Sequence, residues 1–286
     1  MPLSMEEVQA AQANEFADDL PILPEMLSWS LYDVENYFRS GGTNKPQSTE
    51  RSNPPTTVQP AAATGPTASV EGKDKRPRLL GLHGSNSNAE ATMFQMIILG
   101  LSDFEPADGP YHCTFLEAPL RAGKFDDGLK TEAWSWHVQG QSLDIGLKKI
   151  IQHCEEMGPY DGVYGFSQGT SMLTLLTSRE IWLAYGGSEA CFPPWRFVVC
   201  GCGTDYLLDQ ADVPAPTSDN PLHVPSLHIM GSKDEIRPAS LSLSKRYASP
   251  DIVEHPEGHA IPISLSTPGD PIIAKVASFV KEHLGR

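Results

Sequence analysis

From Pro77 to the C-terminus, short apolar runs alternate with longer segments whose apolar residues recur at helical spacing. The pattern predicts strands over Arg78–His83, Tyr111–Glu117, Gly162–Phe166, Arg196–Gly201, Ser226–Met230 and Ile252–His255. Between and after them it predicts helices over Ala89–Leu101, Ser142–Met157, Gln168–Ser178, Ala239–Ala248 and Pro271–Leu284. Phe197-Val198-Val199 and its counterparts are continuous apolar runs rather than alternating ones, as in a parallel sheet covered on both faces. Strand–helix alternation sustained over this length predicts an open α/β sheet with right-handed crossovers.

The first 76 residues follow a different pattern. Met5–Phe16 and Trp29–Arg39 have helical spacing, and Pro21 and Pro24 interrupt any continuous helix between them. Residues 40–76 are rich in Pro, Ser, Thr, Ala and Gly and carry almost no aliphatic bulk, so burial cannot offset their ordering entropy. The expected organisation is an N-terminal segment over 1–39, a linker over 40–76 and an α/β domain over 77–286.

Charge and cysteine content narrow the function. The net charge of −15 lacks the basic surface that nucleic acid requires, and it disfavours anionic lipid. Residues 1–39 hold eight acidic residues against the single base Arg39, a net of −7. With its aromatic residues, this segment is a candidate protein-docking element; folding back onto the domain is the alternative. No apolar run reaches the roughly 18 residues of a membrane span, and no secretory signal is visible. The five cysteines are odd in number and lack C-x-x-C spacing, which fits free thiols in the cytoplasm or nucleus. No cofactor or metal is expected, because no His pair with a supporting carboxylate has zinc-ligand spacing.

The strongest chemical signal is Gly165-Phe166-Ser167-Gln168-Gly169, between a predicted strand and a predicted helix. That context defines a nucleophile elbow. Ser167 sits on a sharp turn, and glycine at 165 and 169 avoids collision with the neighbouring strand and helix. A serine hydroxyl needs a base, and the base needs an orienting acid. Asp234, in Gly231-Ser232-Lys233-Asp234, and His259, in Pro256-Glu257-Gly258-His259, follow later strands in the order Ser, Asp, His. Glu235 competes for the acid role. His255 competes for the base role but ends a strand, where a satisfied structural histidine is the ordinary case. Leu82-His83-Gly84-Ser85 follows the first strand, so the backbone N–H groups of Ser85 and Gln168 are the candidate oxyanion hole. His83 reads as a loop-shaping residue, since His259 already fills the base role.

Taken together, Leu-His-Gly, the run Gly158–Gly169, Gly-x-x-Asp at 231–234 and His-Pro-x-Gly-His-x-x-Pro at 255–262 resemble the FSH-type serine hydrolases. That family includes fungal hydrolases and the ovarian-tumour-suppressor-like hydrolase of animals. The resemblance covers roughly residues 77–284. It implies an α/β-hydrolase fold, with a mostly parallel sheet flanked by helices and no large cap. It also implies esterase or thioesterase activity on a small acyl substrate, with Ser167 as nucleophile, Asp234 as acid and His259 as base. Acyl-protein thioesterases and carboxylesterases share Gly-Phe-Ser-Gln-Gly and are the alternative. Two insertions bear on substrate. Ala118–Gln141 reads as a long loop whose Trp134 and Trp136 either line an acyl pocket or pack on the domain. Gly186–Trp195 reads as a small lid or a packed insertion.

Overall fold

The computed structural model describes residues 75–104, 109–124, 132–266 and 269–285. The N-terminal segment and nearly all of the linker lie outside the described residues. Six strands form one sheet: β1 (Arg78–Leu82), β2 (His112–Leu116), β5 (Gly162–Phe166), β6 (Phe197–Gly201), β7 (Ser226–Gly231) and β8 (Pro250–His255). Their order is β2-β1-β5-β6-β7-β8, and every pairing is parallel. Among the described residues the α-helices are α1 (Ala89–Ile98), α2 (Asp144–Met157), α3 (Gln168–Thr177), α4 (Arg179–Ala184), α5 (Arg237–Ser244) and α6 (Pro271–Leu284). This is the expected α/β-hydrolase arrangement.

Alternation along the buried strands builds two cores. Leu80, Leu82, Val163, Val198 and Cys200 face α2 and α3, joined by Leu147, Ile150, Met172 and Leu176. Leu79, Tyr164, Phe166, Phe197 and Val199 face the other side, against Met96 of α1 and Val276, Phe279 and Val280 of α6. Each apolar strand residue thus serves one layer or the other, which accounts for the unbroken hydrophobic runs.

The strand order also positions the site. The chain passes from β1 outward to β2, then returns to β5 on the other side of β1. A topological switch point therefore lies between β1 and β5, where open sheets form a crevice at their carboxyl ends. The loops after β1, β5, β7 and β8 carry Ser85, Ser167, Asp234 and His259 to that edge.

The structure corrects several expectations. Ala118–Gln141 is not a plain loop: β3 (Leu120–Lys124) and β4 (Glu132–Ser135) pair in an antiparallel hairpin. Its turn, with Phe125, lies outside the described residues. Helix α4 follows directly after α3, where the sequence pattern predicts no helix, and buries Ile181 and Trp182. Helix α5 starts earlier than expected because Pro238 is tolerated in a first turn, where its missing N–H costs no hydrogen bond. The Gly186–Trp195 insertion packs on the domain: Trp195 is buried and its indole N–H donates to Thr177 Oγ1 at 2.9 Å. Among the described residues no cap domain interrupts the sheet, and no helix is long and apolar enough to cross a membrane.

Candidate active site

Ser167 adopts φ 47° and ψ −117° between β5 and α3, a backbone that side-chain-bearing residues rarely occupy. Such strain costs on the order of 1–3 kcal/mol and persists only where the surroundings over-determine it. Here they do. The Ser167 N–H donates to Gly201 O at 3.0 Å, and Thr170 Oγ1 donates to Ser167 O at 2.5 Å. A Cβ on Gly165 would lie 2.5 Å from Leu173 Cδ2, and one on Gly169 would lie 2.5 Å from Leu82 O. Both glycines are therefore required by close approach, the first by the helix and the second by β1.

The acid and base loops meet beside this elbow. Nδ1 of His259 lies 2.8 Å from Asp234 Oδ2, and Asp234 Oδ1 accepts the Ile236 N–H at 2.9 Å. Asp234 is buried, whereas Glu235 is exposed, so only the first is placed to orient the imidazole. The His259 ring packs against Phe166, the residue before Ser167, with centroids 5.1 Å apart. The two loops are also tied to each other: Ser232 N–H donates to His255 O (2.8 Å) and Lys233 N–H to Glu257 O (3.1 Å). Gly231 permits that approach, because a Cβ there would run into the Glu257 and Gly258 carbonyls.

His255 is buried at the end of β8 and accepts the Glu257 N–H on Nδ1 at 3.3 Å. Burial lowers its pKa. The expectation of a fully satisfied histidine is corrected in one respect: its Nε2 has no hydrogen-bond partner among the described residues.

Ser85 and Gln168 stand on the two sides of the switch point. Their main-chain N–H groups make no protein hydrogen bond among the described residues. Gly84 brings the Ser85 loop to the elbow, since a Cβ on it would lie 3.3 Å from Ser167 Cβ. His83 is buried, with Nδ1 2.7 Å from Gly84 O and Nε2 accepting the Ala118 N–H at 3.0 Å. That is the loop-shaping role read from the sequence.

Strand β4 and the two residues after it supply contacts that the sequence did not reveal. Trp136 is fully buried in the core, and its indole N–H donates to His83 O at 2.8 Å. It therefore buttresses the Ser85 loop and does not line an open pocket. Trp134 is half-buried and pairs through its backbone with Ser87. The Gln168 side chain accepts the Trp136 N–H (2.7 Å) and the His137 N–H (3.3 Å) and donates to His137 O (2.9 Å). The motif identified Gln168 by its backbone alone, and nothing in its local spacing pointed to a partner more than 30 residues away.

Among the described residues one group has metal-ligand chemistry: atoms of Cys202, Asp234 and His259 lie within 4.8 Å of one another. Burial raises the Cys202 thiol well above its ordinary pKa, and its Sγ–H donates to Ala260 O at 3.3 Å. A protonated thiol beside a hydrogen-bonded Asp–His pair is a polar cluster rather than a set of free ligands.

The family described as serine hydrolase (FSH1) matches residues 73–268, a span that contains Ser167, Asp234 and His259. The chain belongs to this family. The bovine esterase OVCA2 is 32% identical over 124 residues, covering 43% of this chain and 52% of that one. The chain thus spans about half the length of that relative. The Caenorhabditis elegans esterase C25G4.2 is 28% identical over 222 residues, covering 73% of this chain and 95% of that one. A carboxylesterase from Mesorhizobium loti superposes with a TM-score of 0.47 at 16% identity, covering 72% of this chain and 89% of that one.

Proposed function

We propose that this member of the serine hydrolase family cleaves carboxylic esters or thioesters of small acyl substrates through an acyl-Ser167 intermediate. The observation that carries this reading is the contact of His259 with the buried Asp234, 2.8 Å apart, beside a serine in strained elbow geometry. With Nδ1–H donating to Asp234, the imidazole presents a basic Nε2 lone pair. In the proposed reaction Nε2 takes the Ser167 proton as Oγ attacks the acyl carbonyl. The carbonyl electron pair moves onto oxygen, where the N–H groups of Ser85 and Gln168 stabilise it. His259 then returns the proton to the departing alcohol or thiol. Water, deprotonated by the same imidazole, releases the acid and regenerates Ser167.

Trp134, half-buried beside the Ser85 loop, is the proposed acyl-contact residue. The acidic segment 1–39 is the proposed docking element for a protein partner. A fluorophosphonate probe tests the central claim. It should label the wild-type protein at Ser167, and Ser167→Ala should abolish both labelling and turnover of p-nitrophenyl esters. Labelling that survives in Ser167→Ala would assign the nucleophile elsewhere.

A further inference from the structure

The hydroxyl group of Ser85 has a geometry that its backbone role does not explain. Its Oγ lies 3.1 Å from Ser135 Oγ, near the end of β4. Ser135 is buried, and its Oγ also accepts the Asn86 N–H at 3.0 Å. A serine hydroxyl has one proton to donate and two lone pairs to accept with. The Asn86 N–H uses one lone pair, and among the described residues the acceptor within reach of the Ser135 proton is Ser85 Oγ. If Ser85 donated instead, a buried O–H would be left without an acceptor and would carry the full penalty of its desolvation. The bond therefore runs from Ser135 to Ser85, which leaves the Ser85 proton free. Ser85 is only half-buried, and the residue before it packs against Ser167 and Phe166.

We infer that the Ser85 hydroxyl donates a third hydrogen bond to the oxyanion and that Ser135 is the positioning residue that orients it. This rests on the acyl-Ser167 reading above. The hydroxyl becomes fully engaged only when negative charge develops on the carbonyl oxygen, so it acts on the transition state more than on bound substrate. Ser135 touches no reacting atom. It removes the competing orientation of the Ser85 O–H and, through Asn86, holds the loop in place.

The test uses the full chain with p-nitrophenyl butyrate as substrate and a trifluoromethyl ketone as tetrahedral analogue. Ser85→Ala is expected to lower kcat roughly 10–100-fold, at or below the loss seen for a principal oxyanion donor. KM should stay within about twofold, and ketone affinity should fall by the same factor as kcat. Ser85→Thr, which keeps the hydroxyl, should restore most of the rate. Ser135→Ala should cost less in the Ser85→Ala background than in wild type, because it acts through a group already removed. Unchanged kcat and ketone affinity in Ser85→Ala, or strict additivity of the two substitutions, would overturn the inference. Fluorophosphonate labelling of each variant keeps the two readings apart. Absence of labelling in wild type refutes the acyl-Ser167 mechanism, whereas labelled wild type with an unaffected Ser85→Ala refutes only the third donor.

Discussion

Replacing Asp234 with Asn probes the candidate site through a single proton. The two carboxylate oxygens have different partners: Oδ1 accepts the Ile236 N–H at 2.9 Å, and Oδ2 faces His259 Nδ1 at 2.8 Å. An asparagine at 234 keeps only one acceptor oxygen. The buried Ile236 N–H holds that oxygen, because leaving it unpaired costs about 1–3 kcal/mol. The amide NH2 is then turned toward His259, and a donor there requires Nδ1 to be the lone-pair nitrogen. The proton moves to Nε2, and the imidazole can no longer accept from Ser167. By analogy with other serine-hydrolase triads, kcat should fall about 10⁴-fold near neutral pH, equivalent to about 5.5 kcal/mol. The fold should survive, since shape is preserved and one hydrogen bond is exchanged for another. The assay is kcat and KM for p-nitrophenyl butyrate beside thermal denaturation, with Glu235→Gln as the control. Glu235 is exposed, so its variant should retain activity within about twofold. An Asp234→Asn protein that stays folded and keeps activity within tenfold of wild type would refute the tautomer argument.

Gly169→Ala drives a methyl group to 2.5 Å from Leu82 O and 2.7 Å from His83 O, both backbone atoms with little room to yield. It should destabilise by about 3 kcal/mol, or roughly 6–12 °C in Tm, and should displace the Ser85 loop so that labelling also slows. His228 is buried in β7, and burial lowers its pKa from 6.5 to about 3. The unfolded chain therefore binds a proton between those values that the folded chain refuses, so stability is full above pH 6.5 and falls toward pH 3. Between pH 7 and 5 this amounts to about 2 kcal/mol. His228→Gln should flatten the acid limb by that amount in urea titrations, and an unchanged pH dependence would contradict it.

The features legible in the sequence are those whose physics is local. An elbow needs a strand, two glycines and a helix within a few residues, and Gly165-Phe166-Ser167-Gln168-Gly169 satisfies that within one stretch of chain. Strands buried on both faces must be apolar throughout, so their runs and the alternating helices by themselves predict a parallel sheet. The order of Ser167, Asp234 and His259 then followed from loops that had to emerge on one edge. Other features depend on contacts between residues far apart in sequence. The motif around residue 234 favours Asp234 but leaves Glu235 as a competitor; burial and the 2.8 Å contact with His259 distinguish Asp234 in the folded chain. Trp136 carries the same apolar character whether it lines a pocket or fills a core, and its bond to His83 O, 53 residues away, settles which. The β3–β4 hairpin eluded the pattern because its strands are short and its polar residues resemble those of a loop. Ser135, Gln168 and Gly231 gain their importance only where the folded chain brings separate loops within hydrogen-bonding distance. Sequence determined which chemistry this chain carries, because reactive groups come in local motifs. Tertiary structure decided how that chemistry is aimed, because orientation is set by hydrogen bonds between residues tens of positions apart.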